Sequence, residues 1–150
     1  MVNPIIAIIG KPNVGKSTLF NRIVGKREAI VSPQEGVTRD RLYANFDWQG
    51  KDFTLVDTGG YIPNSKEVID SQVRIQSEIA SNEADLIIFL LDGKSSITSS
   101  DIYLAKELQK LNKPYLLVIN KIDESHLENL ALQFYELGLG DYIMISSQNN

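Results

Sequence analysis

Gly10-Lys11-Pro12-Asn13-Val14-Gly15-Lys16-Ser17 stands between the apolar run Ile5 to Ile9 and the stretch Ser17 to Val24, where Leu19, Phe20, Ile23 and Val24 recur at helical spacing. Strand, glycine loop, helix is the context in which Gly-x-x-x-x-Gly-Lys-Ser binds phosphate. Glycines let successive backbone N–H groups curl around phosphate oxygens, and the helix N-terminus adds the positive end of its dipole. In such a loop Lys16 reaches the β- and γ-phosphates and the Ser17 hydroxyl coordinates Mg2+, with Thr18 beside it at the start of the helix. A glycine-rich turn that merely joins strand to helix requires none of these positions, so phosphate binding is the reading that accounts for all of them.

On either side of the loop, apolar β-branched runs alternate with segments of helical period, the pattern of the α/β class with a mostly parallel sheet and helices on both faces. Residues 42–48 and 52–57, joined by Gln49-Gly50, predict a hairpin and hence one antiparallel strand at an edge. A helix is expected from Lys66 to Ser81 on Val68, Ile69, Val73, Ile75 and Ile79. Leu86 to Leu91 and Tyr115 to Ile119 have the character of central buried strands. Between them Ile102, Leu104, Ala105, Leu108 and Leu111 mark a helix capped by Ser99 or Ser100. Leu127 to Leu137 repeats the helical signature before Gly138, and Tyr142 to Ile145 forms the last strand. A doubly wound sheet calls for one more helix after that strand. Residues 1–150 are therefore expected to be one nucleotide-binding domain lacking its final helix, within a longer polypeptide.

Composition narrows the setting. The absence of cysteine rules out disulfides and thiolate metal sites and suits a reducing cytoplasm. A formal charge of −4 argues against strong polyanion binding by this domain alone. No apolar stretch approaches the roughly 20 residues that span a bilayer, and the N-terminus lacks the basic residues of a signal peptide, so no membrane association is expected.

Asp57-Thr58-Gly59-Gly60 closes the strand Phe53 to Val56. There Asp57 can hold the Mg2+ shell while the Gly60 N–H meets a γ-phosphate oxygen. Asn120-Lys121-Ile122-Asp123 closes the strand Tyr115 to Ile119. The Asp123 carboxylate can accept from guanine N1–H and its N2 amino group, and the Lys121 stem can cover the base. Adenine presents neither donor there, so the motif selects GTP and GDP. Ser146-Ser147-Gln148, at the end of the last strand, is where backbone amides would back the guanine carbonyl.

With these boxes in chain order, the sequence resembles the translation-factor-like GTPases and, more narrowly, the first GTPase domain of the bacterial EngA (Der) family. Residues 10–22, Gly36-Val37-Thr38-Arg39-Asp40-Arg41 and Asp57 to Gly60 carry the resemblance. It implies a Ras-like, doubly wound six-stranded sheet and GTP hydrolysis. In the full-length protein it implies a second GTPase domain and a KH-like domain, through which the large ribosomal subunit or its RNA would be the partner. Era and MnmE-like GTPases are the near alternative, and Ser146-Ser147 departs from the usual Ser-Ala. By resemblance Thr38, the only threonine between Thr18 and Thr54, closes on Mg2+ and the γ-phosphate. The glutamine that orients the attacking water in many GTPases is replaced by Tyr61, and Gln72 and Gln76 lie too far along their helix to serve instead. Asn13 matches the asparagine that ligates a monovalent cation in the resembling families, so K+ joins Mg2+ as an expected cofactor. The expected catalytic set is then Lys16, Thr38, Gly60 and Asn13, and a binding module with negligible hydrolysis is the rival. His126 is expected to be solvated, Lys11 to belong to a solvated face in preference to an RNA-facing patch, and Trp48 to pack against the sheet.

Overall fold

The computed structural model describes residues 3–11, 14–25, 30–33, 40–57, 66–120, 137–140 and 143–145. In chain order the elements are β1 (Ile5–Ile9), α1 (Lys16–Val24), β2 (Ile30–Pro33), β3 (Asp40–Trp48), β4 (Lys51–Asp57), α2 (Lys66–Asn82), β5 (Leu86–Asp92), α3 (Ser99–Lys110), β6 (Tyr115–Asn120) and β7 (Ile143–Met144). They form one sheet of order β2-β3-β4-β1-β5-β6-β7. β1 pairs in parallel with β4 and β5, and the parallel ladder continues through β6 to β7. The expected helix from Leu127 to Leu137 lies outside the described residues except at its last position.

Among the described residues the sheet has seven strands where six were expected. The addition is β2, antiparallel to β3, so β3 remains the strand that runs against the others but stands one place in from the edge. The β3–β4 hairpin forms as expected. Gln49 and Gly50 take φ of 52° and 80°, the pair of positive angles that a two-residue turn needs to match the twist of its strands. Phe46 and Phe53 sit opposite each other in the ladder with rings stacked 5.5 Å apart. Trp48, expected to pack against the sheet, is 64% exposed, at the very end of β3 beside the hairpin turn.

The pleat divides the core. Ala7, Ile9, Phe89, Leu91 and Ile119 face one side and pack with Val73 and Ala80 of α2 and Leu104 and Leu108 of α3. Ile8, Ile88, Leu90 and Val118 face the other and pack with Phe20 and Val24 of α1. Strands buried on both faces read as unbroken apolar runs, which is why β1, β5 and β6 do so. α3 is capped by Thr98 rather than Ser99 or Ser100, because the Asp101 carboxylate accepts the Thr98 N–H at 2.9 Å and its hydroxyl at 3.2 Å. At the far end of the sheet the Lys113 ammonium donates to the Ala80 and Ser81 carbonyls and so satisfies the C-terminus of α2. Among the described residues no helix is long and apolar enough to cross a membrane.

Candidate nucleotide site

Parallel strands end together, and the C-terminal ends of β1, β4 and β6 bring Gly10, Asp57 and Asn120 to one edge of the sheet, where open α/β sheets bind ligands. Position 10, just after β1, is glycine because nothing larger fits. A Cβ on Gly10 would lie 2.6 Å from the Leu90 carbonyl oxygen and 2.9 Å from Val14 Cγ2. The loop re-enters helix through Gly15, whose φ of 102° is in the left-handed region. α1 then begins at Lys16 with no acidic residue in its first turn, so its free N–H groups and positive dipole end face the loop without an internal anion.

The Lys16 side chain folds back into the loop. Its ammonium donates to the carbonyls of Gly10 at 2.7 Å and Lys11 at 2.9 Å, and the residue is only 6% exposed. Burial pushes its pKa down from 10.5 to about 8, opposed by the negative charge of Asp57. Beside it the Ser17 hydroxyl donates to Asp57 Oδ2 at 2.9 Å, joining the start of α1 to the end of β4. A hydroxyl and a carboxylate converging in this way are the hard oxygen donors Mg2+ prefers. Among the described residues no three acidic, histidine or cysteine side chains converge.

Asn120 is 2% exposed and donates from Nδ2 to the Val14 carbonyl at 2.8 Å, while its own carbonyl accepts the Gly93 N–H at 2.8 Å. It therefore joins the end of β6 to the glycine loop. Lys11, expected to be solvated, is drawn inward. Its ammonium reaches Asp101 Oδ2 at 3.0 Å, Ser96 O at 3.2 Å and Ser95 Oγ at 3.3 Å. With Asp101 at 0% and the Lys11 side chain at 12% exposure, the ion pair ties the loop to the first turn of α3. Gln76 of α2 makes a second tie, its Oε1 accepting the Gly10 N–H at 2.7 Å.

Of the expected site, Gly10, Lys11, Val14, Gly15, Lys16, Ser17, Thr18, Asp57 and Asn120 are described, with Thr18 following Ser17 in α1. Pro12, Asn13, Thr38, Thr58, Gly59, Gly60, Tyr61, Lys121, Asp123, Ser146, Ser147 and Gln148 lie outside the described residues. The residues that sequence reasoning missed are Asp101 and Gln76. Asp101 stands three places after Thr98, the spacing of a capping box. Gln76 sits three places from both Val73 and Ile79, a polar side chain on the apolar stripe of α2.

Residues 5–121 match the family model of the 50S ribosome-binding GTPases. The chain is similar to GTPase Der of Flavobacterium johnsoniae, 52% identical over 147 residues that cover 98% of this chain and 34% of that protein. GTPase Der of Clostridium botulinum is also 52% identical at the same coverage. The chain thus spans about a third of the length of these curated relatives. Among solved structures, Aquifex aeolicus Era bound to GDP and AlF4− superposes with a TM-score of 0.71 at 33% identity, over 98% of this chain and 52% of that one. The cytosolic domain of the T. maritima FeoB iron transporter in a GDP form gives a TM-score of 0.73 at 27% identity, over 99% and 58%.

Proposed function

The chain belongs to the family of 50S ribosome-binding GTPases, and from that premise we propose that it is a switch domain that binds GTP and hydrolyses it to GDP and phosphate. One observation carries the reading. Lys16 holds a buried ammonium on two loop carbonyls, at the open N-terminus of α1 and beside the Ser17–Asp57 pair. A phosphate chain answers each of these features. Its oxygens draw the ammonium off the carbonyls, accept the free N–H groups of α1 and complete the shell that Ser17 and Asp57 begin. Mg2+ held by Ser17, Asp57 and Thr38 would supply positive charge to the β- and γ-phosphates. Catalysis is then positioning and charge stabilisation by Lys16, the Gly60 N–H and Thr38.

Guanine is selected by Asp123, with Lys121 covering the base and Ser146 to Gln148 backing its carbonyl. K+, held by Asn13, would supply the positive charge that another GTPase takes from an arginine. The natural partner is the ribosomal large subunit or its RNA, engaged through other parts of a longer cytoplasmic protein. The family description and the Era structure that contains 16S ribosomal RNA support a ribosomal partner. The second reading, a guanine-nucleotide module with negligible hydrolysis, is favoured by Tyr61 standing where glutamine is usual.

Single-turnover phosphate release from GTP with Mg2+, in matched KCl and NaCl, separates the two. The expected result is release in both salts, faster in KCl by about tenfold or more, and loss of that difference in Asn13→Ala. Equal rates in the two salts remove the potassium site. No release in either salt leaves the binding module.

A further inference from the structure

We propose that Gln76 is a positioning residue for Lys16, acting through Gly10, and that it makes α2 part of the phosphate-loop geometry. The inference deepens the GTPase reading and rests on it. Gln76 is 0% exposed in the middle of α2, on the buried stripe of Val73, Ile79 and Ala80, of which Val73 and Ala80 join the core cluster against the sheet. An apolar residue is what that stripe ordinarily requires. The amide that stands there instead accepts the Gly10 N–H at 2.7 Å, 66 positions away in sequence. Because a backbone N–H can only donate, the oxygen must face Gly10, and this fixes the amide's orientation. Among the described residues Nε2 is thereby left buried with no hydrogen-bond partner. Such a group destabilises the fold, so packing does not explain the glutamine and the acceptor does.

What the acceptor holds is the residue that holds Lys16. Gly10 receives Gln76 at its N–H and the Lys16 ammonium at its carbonyl, the latter also at 2.7 Å. Glycine has the widest backbone freedom of any residue, so its two peptide planes need an external constraint to keep their directions. On one side Gly10 abuts the Leu90 carbonyl, and Gln76 supplies a directional hold. A shift of α2 therefore moves the carbonyl on which the ammonium rests, and with it the distance Lys16 covers to reach the phosphates.

The test compares Gln76→Met, which keeps the length and removes the acceptor, with Gln76→Glu, which keeps an oxygen facing Gly10. Both are made in the full chain, with kcat and KM for GTP measured alongside the melting temperature. The expected result is a fall of about tenfold in kcat for Gln76→Met with KM within about threefold, and recovery of kcat to within about threefold of the parent in Gln76→Glu. A lower melting temperature in Gln76→Met with kcat unchanged overturns the proposal, and so does an equal loss of kcat in both variants. If Gln76→Met does not fold, the glycine amide spectrum of Gln76→Glu decides. The Gly10 amide proton should move with titration of the introduced carboxyl, and a Gly10 resonance blind to it overturns the contact. A parent chain that releases no phosphate refutes the GTPase reading instead, while the Gly10 resonance still reports on Gln76.

Discussion

Lys16 sets the energetics of the loop at the scale of one residue. Burial pushes its ammonium from 10.5 to about 8 against the pull of Asp57, so between those values the unfolded chain holds more proton than the folded one. Stability of the nucleotide-free chain should therefore rise with pH across that window, and the penalty for the buried charge is complete below pH 8. Lys16→Met, free of that penalty, should unfold at higher urea than the parent at pH 7, by about 1–3 kcal/mol, and lose this part of the pH dependence. Phosphates return the ammonium to its charged form. Nucleotide binding near pH 8 should draw about half a proton onto Lys16 and binding at pH 6 almost none, read as the difference between parent and Lys16→Met by calorimetry in buffers of different ionisation enthalpy. Gly10, Lys16, Ser17 and Asp57 were legible in the sequence because their chemistry demands those residue types at those places. Gln76 and Asp101 were not. Each meets the loop only through contacts spanning 66 and 90 positions, and neither belongs to the loop's own pattern.

The elements are held by ties of the same kind. The Lys11–Asp101 pair joins the phosphate loop to α3, and Asp101 also accepts the Thr98 N–H and hydroxyl that cap the helix. Lys11→Met leaves a carboxylate in a dry site with its cation removed, and the expected loss is about 3 kcal/mol in urea unfolding. Adding Asp101→Asn should cost less than the sum of the single losses, because the partners are coupled. The cap could have been assigned from sequence: of the three hydroxyl residues Thr98, Ser99 and Ser100, only Thr98 has a carboxylate three places on. Gln49-Gly50 announced its hairpin because a two-residue turn has a narrow chemistry. β2 gave no such sign. It is four residues long, ends in proline, and gains its identity from the ladder with Asp40 to Tyr43.

At the scale of the molecule, the alternation of buried strands and helices was enough to predict a doubly wound sheet, since strands covered on both faces have few other arrangements. What periodicity could not state is how the two halves of the site are locked. Asn120 does this, bonding the base-side strand to the loop across 106 positions. Asn120→Ala should weaken GDP binding about tenfold and cost about 1–2 kcal/mol of stability, checked by calorimetry and urea unfolding of the same samples. Together the ends of β1, β4 and β6 are proposed to make a guanine-nucleotide site. Titration of the chain with GDP and with ADP, each with Mg2+, tests it most directly. Saturable binding of GDP is expected, with an affinity for ADP lower by about a hundredfold or more. Equal affinities, or binding of neither, would contradict it.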